Sequence, residues 1–388
     1  MKVPSTLSSL RDPAEMKCVP GLTAEDVLVK KDKIRGAIRV KDVPLLRRLS
    51  IEAGGLLEDA LREDAWPILL GIDHSTTTCR NSKPTRQQLK STPFHEQVVR
   101  DVNRTIRRFP PSIPRKMRLS LQESLLAVIS RVLTAIPELH YYQGYHDICV
   151  TVLLVVNGNE EAAFRIMEHL SQTKLRAFME SSINGTTRQL GIIYPLLGAV
   201  NPSLRRFLEN TSCGVVFLLP WCLTWYGHEL SHYPTLTRLF DLFMSSVDLM
   251  PVYLAAAIVL PHQEKLLKQE CSLANVHAYL GQVLPLLQCS RGDMEDRVVF
   301  AKDLLRRFPP ASLFTMESDH QTGPFSISDT SIGWEKVDSL ERKQVATFLL
   351  EDYVIVTYRR ESTESVDFND EVDRGSDRQP VEFMTTAC

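Results

Sequence analysis

Nothing in this chain is long and apolar enough to cross a membrane as a single helix. The longest apolar stretches are Ile148–Val156, Cys213–Trp225 and Leu249–Leu260. All fall short of the ~20 residues a span requires, so they read as core helices. The N-terminus lacks the apolar segment of a secretory signal peptide. No Cys-x-x-Cys pair occurs among the eight cysteines, and Cys149, Cys213 and Cys222 lie in apolar runs, as buried free thiols do. Together these absences imply a reducing, cytoplasmic setting. The Asn-x-Ser/Thr triplets at Asn103, Asn184 and Asn210 then read as chance matches. A strong charge of either sign is missing too. The formal net charge is −2, which exerts no global pull toward nucleic acid or an anionic membrane. There is no run of alternating strands with hairpin turns, and no repeat of 20 to 50 residues, which excludes a solenoid.

What remains is an ordinary globular composition, 44% hydrophobic and 24% charged over 388 residues, enough for a sizeable core. Its periodicity is helical. Met117, Leu121, Leu125, Val128, Ile129, Val132, Leu133 and Ile136 recur at spacings of three and four, one face of a roughly five-turn helix stopped by Pro137. Ala162–Leu170 and Leu236–Met244 repeat the pattern, and Leu249–Leu260 follows a turn at Ser245–Asp248. The expected class is all-α, with many helices and short connections.

Composition divides the chain. Residues 1–50 read as a flexible, basic N-terminal segment. Within it Val27–Leu49 admits a loose amphipathic helix, a membrane-surface contact or a linker, the linker being favoured. Residues 56–260 carry the regular pattern, 261–310 a helical extension, and 311–388 a low-order tail rich in acidic residues and Ser/Thr.

Two short stretches carry chemistry. Val98-Val99-Arg100-Asp101-Val102-Asn103-Arg104 has the form aliphatic-x-x-Asp-x-x-Arg, and Tyr141-Tyr142-Gln143-Gly144 the form Tyr-x-Gln-Gly. An arginine can neutralise charge on a transferring phosphoryl group, and a glutamine can orient the attacking water. On a helix Asp101 and Arg104 share a face, so the carboxylate is expected to orient the guanidinium in a fork-to-fork pair. Gly144 permits close backbone approach beside Gln143. Each motif alone also fits a bland reading. Arg104 opens a basic run with Arg107, Arg108, Arg115, Lys116 and Arg118, and Gln143 fits a turn among surface aromatics.

In combination these residues resemble the TBC-domain family of Rab GTPase-activating proteins. Arg62-Glu63-Asp64-Ala65-Trp66 matches that family's Arg-x-x-x-Trp opening. Val98…Asp101…Arg104 matches its Ile-x-x-Asp-x-x-Arg motif with Val for Ile, and Tyr141–Gly144 its Tyr-x-Gln-Gly motif. Leu219–Tyr226 and Arg238-Leu239-Phe240-Asp241 are similar to its later tryptophan and Arg-Leu-x-Asp blocks. The resemblance covers roughly residues 56–260 and implies an all-α domain acting on a GTP-bound Rab partner. Arg104 and Gln143 would be catalytic fingers, Asp101, Tyr141 and Gly144 their support, and Arg62 and Trp66 structural. It implies no cofactor of the chain's own, since GTP and Mg²⁺ belong to the partner. Over His140–Val156 and Trp221–Ser231 the likeness is strongest to an endoplasmic-reticulum-associated member. That implies vesicle traffic at the cytosolic face of ER and Golgi membranes, by peripheral association.

Three competing readings remain. A domain of this family can serve as an interaction scaffold without catalysis. His228-Glu229-Leu230-Ser231-His232 is a literal His-Glu-x-x-His, which on a helix would present two zinc ligands and a base. A third ligand is missing, Pro234 interrupts, and His140 and His146 read as surface or packing residues. The basic run lacks a recognised nucleic-acid-binding fold, so no nucleic-acid partner is expected.

Overall fold

The computed structural model describes residues 21–72, 92–105, 113–287 and 291–313, and among these every regular element is a helix. In order they are α1 (Ala24–Val40), α2 (Val43–Ile51), α3 (Asp59–Leu69), α4 (His95–Thr105), α5 (Arg115–Ala135), α6 (Tyr145–Val155), α7 (Glu160–Gln172), α8 (Asn184–Gly191), α9 (Ile193–Val200), α10 (Pro202–Asn210), α11 (Leu219–Cys222), α12 (Tyr233–Ser245), α13 (Met250–Val259), α14 (Gln263–Leu266), α15 (Leu273–Leu287) and α16 (Arg291–Arg307). Two of the longer ones have no exposed face, although α6 carries His146, Asp147 and Thr151 among its apolar residues. Every residue of α6 and of α13 is buried, as expected of central helices with no solvent face. The amphipathic helices pack around them, α4 and α5 on α6, and α16 on α13.

Local chemistry explains the boundaries. Thr23 and Asp26 form a reciprocal capping box at the start of α1. Lys41 ends that helix in the left-handed region, and the Asp42 side chain accepts from Leu45 N to start α2. The long periodic face over Met117–Ile136 is α5, whose buried residues include Leu121, Leu125, Val128, Ile129, Val132 and Leu133.

Two expectations are corrected. The flexible reading of residues 1–50 fails for 24–50. There α1 and α2 pack on each other and on α3, with Ile34, Ala37, Leu46 and Leu49 in the common core. Four apolar positions at helical spacing outweigh the surrounding Lys and Arg, whose side chains mostly point to water. The apolar run Cys213–Trp225 is buried, but it is not one helix. It breaks into a 3₁₀ turn at Val216–Leu218 and the single turn α11. Gly214, Trp225 and Tyr226 all have positive φ, which no continuing α-helix tolerates. The low-order tail lies outside the described residues, apart from its first three, where Leu313 is buried.

Polar residues inside this core join distant parts of the chain. Asp241 on α12 is fully buried. Its carboxylate accepts from Arg62 Nε at 3.0 Å and Nη2 at 3.0 Å, from Trp66 Nε1 at 2.9 Å and from the Leu56 amide at 2.9 Å. Asp59 takes the remaining Arg62 nitrogen, Nη1, at 2.9 Å. Arg238, one turn earlier, donates to the carbonyls of Ser50 and Ile51 and pairs with Glu295 on α16. Arg62 and Trp66 therefore sit in the frame that binds α2, α3, α12 and α16 together.

Lys30 is turned into this frame from α1, donating to Ala53 O at 2.7 Å. Burial, then the nearby Arg238 charge, lowers its pKa from 10.5 to about 8. Above pH 8 the folded chain has released this proton, while the unfolded chain holds it up to about 10.5. Lys30 therefore adds stability as pH rises through that window. Melting curves at pH 7 and pH 10 test this: Lys30→Met should lack the Lys30 component of the rise, and an unchanged pH dependence would refute the assignment.

Candidate functional site

Arg104 lies in the last turn of α4. Val98, Asp101, Val102 and Thr105 form the buried stripe of that helix, whereas Asn103 and Arg104 are exposed. The expected Asp101–Arg104 fork is absent. Asp101 belongs to the core stripe, 3% exposed, and accepts from the Tyr141 hydroxyl at 2.9 Å. Arg104 makes no hydrogen bond or ion pair to any described residue. Burial raises the Asp101 pKa above its ordinary value, opposed by His146, the Tyr141 hydrogen bond and the Arg104 charge. Gln122 of α5 holds this end of α4 by donating to Asn103 Oδ1 at 2.8 Å and Val102 O at 3.2 Å.

Gln143 occupies the turn between α5 and α6 and is half-buried. The tyrosines around it are not surface aromatics. Tyr141, Tyr142 and Tyr145 are buried and meet edge-on. Tyr142 donates to Leu223 O at 2.9 Å, and Tyr145 pairs with Ser171 at 2.7 Å. Burial and the Asp101 charge raise the Tyr141 pKa well above 10, so the phenol keeps the proton it donates. One buried hydrogen bond, Tyr141 to Asp101, thus brings the Arg104 helix and the Gln143 turn together.

Gly144 starts α6 with φ +106°, and a Cβ there would lie 2.8 Å from the Thr224 methyl. Thr224 cannot rotate away freely, because its hydroxyl donates to Pro220 O at 2.7 Å and accepts from the His228 amide at 3.2 Å. Gly144→Ala is expected to cost about 1–3 kcal/mol through backbone strain, before any adjustment of Thr224. Denaturant unfolding would show it, and a midpoint equal to wild type would contradict it.

Sequence reasoning overlooked several residues here. Asp147 is 2% exposed, with Oδ1 3.6 Å from His146 Nε2 and Oδ2 3.6 Å from His228 Nδ1. His146, read from the sequence as a surface or packing residue, is buried as well, within polar contact of Tyr141. The adjacency of His146 and Asp147 to the Tyr-x-Gln-Gly stretch was the available signal. Nothing in the sequence marks Gln122 or Thr224.

The His228–His232 segment is not helical, so the zinc reading loses its premise. Pro234 stands in the first turn of α12, a favoured proline position, and His232 is that helix's N-cap, accepting from Thr235 N. Among the described residues no group of His, Cys, Asp or Glu is arranged to hold a metal, and no helix is long and apolar enough to cross a membrane. Arg107 and Arg108 lie outside the described residues, and Arg118 is turned back onto Ile113 O at 2.7 Å.

Comparison with known proteins places this geometry in context. The sequence profile of the Rab-GTPase-TBC domain matches residues 59–267. Human TBC1 domain family member 20 is 38% identical over 301 residues, 78% of this chain and 72% of that protein. The GTPase-activating protein gyp10 of Schizosaccharomyces pombe is 33% identical over 260 residues, 64% of this chain and 66% of that protein. The crystal structure of the Ypt/Rab-GAP domain of Gyp1p superposes with a TM-score of 0.58 at 17% identity, covering 73% of this chain and 99% of that one, a likeness of fold.

Proposed function

The chain belongs to the Rab-GTPase-TBC domain family, and from that premise we propose that it accelerates GTP hydrolysis by a Rab GTPase in trans. Arg104 enters the partner's nucleotide site and stabilises charge on the γ-phosphoryl oxygens. The Gln143 amide orients the attacking water. GTP and Mg²⁺ come with the partner, and this chain supplies no cofactor. The observation that carries the reading is the Tyr141–Asp101 hydrogen bond of 2.9 Å. It fastens the segments bearing the two fingers, while Arg104 itself stays exposed, with no hydrogen bond or ion pair to a described residue. An arginine supplied in trans is worth about 10³–10⁵ in rate. The setting we propose is vesicle traffic at the cytosolic face of ER and Golgi membranes, reached by peripheral association.

The test is a panel of GTP-loaded Rabs assayed for phosphate release with wild-type, Arg104→Ala and Gln143→Ala chains. Stimulation by wild type that is lost in both variants supports two fingers. Binding to a Rab with no stimulation of any panel member would favour a scaffold instead.

A further inference from the structure

His146 stands in the first turn of α6, 7% exposed. Its Nδ1 is 3.4 Å from the Gly144 amide nitrogen and 3.3 Å from the Tyr141 hydroxyl. Those two groups bracket Gln143, one residue after it and two before. On the opposite edge of the ring, Nε2 faces Asp147 Oδ1 at 3.6 Å. Asp101 Oδ2 is 4.0 Å from Nδ1.

Counting hydrogens assigns the ring. The Gly144 amide can only donate. The Tyr141 hydroxyl proton is committed to Asp101. A hydrogen on Nδ1 would oppose the Gly144 N–H, whereas a hydrogen on Nε2 points at the Asp147 carboxylate. With the hydrogen on Nε2, Nδ1 is free to accept the Gly144 amide, and the Tyr141 oxygen lies beside it at 3.3 Å without a hydrogen bond to it. His228 stands behind Asp147, its Nδ1 3.6 Å from Oδ2, so part of the His-Glu-x-x-His stretch backs this turn.

We propose that His146 is a positioning residue for Gln143. By accepting the Gly144 amide, it fixes the backbone immediately after the glutamine and so fixes where the amide meets water. The catalytic consequence rests on the activation reading above, but the ring geometry does not. A role limited to filling space would tolerate any side chain that packs. A positioning role needs an acceptor at the Nδ1 position, which an asparagine oxygen supplies and an alanine does not.

The experiment compares full-length wild type, His146→Ala and His146→Asn, with melting curves used to choose a temperature at which all are folded. Against a GTP-loaded Rab that wild type stimulates, His146→Ala should lower kcat by about 10- to 100-fold, as a small misplacement of a reacting group does, with KM unchanged. His146→Asn should recover most of that loss. Nitrogen-15 spectra of the histidine rings in the wild-type chain, without any GTPase, should show an unprotonated Nδ1 at His146. A protonated Nδ1, an unchanged kcat in His146→Ala, or an Asn variant no better than Ala overturns the positioning role. Failure of wild type to stimulate any Rab overturns the activation reading instead, while the ring spectrum still judges the geometry.

Discussion

Replacing Arg104 with alanine is expected to reduce stimulated GTP hydrolysis by about 10³-fold or more, roughly 4 kcal/mol of barrier, while leaving the protein folded. The two halves of this result have separate causes. The rate falls because no other described group projects a guanidinium from the end of α4, and lysine would lack the planar fork that meets phosphoryl oxygens. The fold survives because Arg104 is exposed and bonded to no described residue. Among the described residues it serves as a cation near Asp101 and in the last turn of a helix, the latter typically worth 0.3–1 kcal/mol. The loss should appear in kcat, with KM for the GTP-loaded Rab little altered. A variant that kept full stimulation of a cognate Rab would remove Arg104 from the mechanism.

Asp101 shows why part of the site was legible and part was not. The three-residue spacing to Arg104 suggested a local pair, because sequence displays neighbours along a helix readily. It does not display which face the core takes. Val98, Asp101, Val102 and Thr105 share that face, and burial carried the carboxylate to a tyrosine forty residues away. The same limit governs α1 and α2. Their buried positions are few and their charges many, so composition resembled a linker until the frame around Arg238 supplied something to pack on. Where periodicity was long or the apolar run was unbroken by glycine or proline, as in α5 and α6, the pattern alone set the element, and in α13 Pro251 falls in the first turn, where a helix accepts it. Where Gly214 and Pro220 intervened, hydrophobicity fixed burial but not conformation. The His-Glu-x-x-His letters carry little for the same reason: two ligands at i and i+4 face together only if the segment is a helix.

Asp241 should be the most sensitive position for stability. Its carboxylate is 0% exposed and receives the Arg62 guanidinium, the Trp66 indole and the Leu56 amide at once. These donors come from α3 and the segment before it, so the anion joins residues nearly two hundred positions apart. Removing it strands a buried guanidinium, since Asp59 engages only Arg62 Nη1. Breaking a buried pair from one side costs about 3–5 kcal/mol, chiefly the desolvation of the charge left behind. Asp241→Ala is therefore expected to lower the melting temperature by on the order of 10 °C, or to prevent soluble expression where the wild-type margin is smaller than that. Asp241→Asn keeps the volume and one acceptor but not the charge, and should fall between wild type and Ala. A second substitution separates this account from simple cavity formation. If the stranded charge dominates, Arg62→Met in the Asp241→Ala background should recover stability rather than deepen the loss, the two effects being strongly non-additive. Additive losses in the double variant would show that packing, not the buried charge, sets the cost.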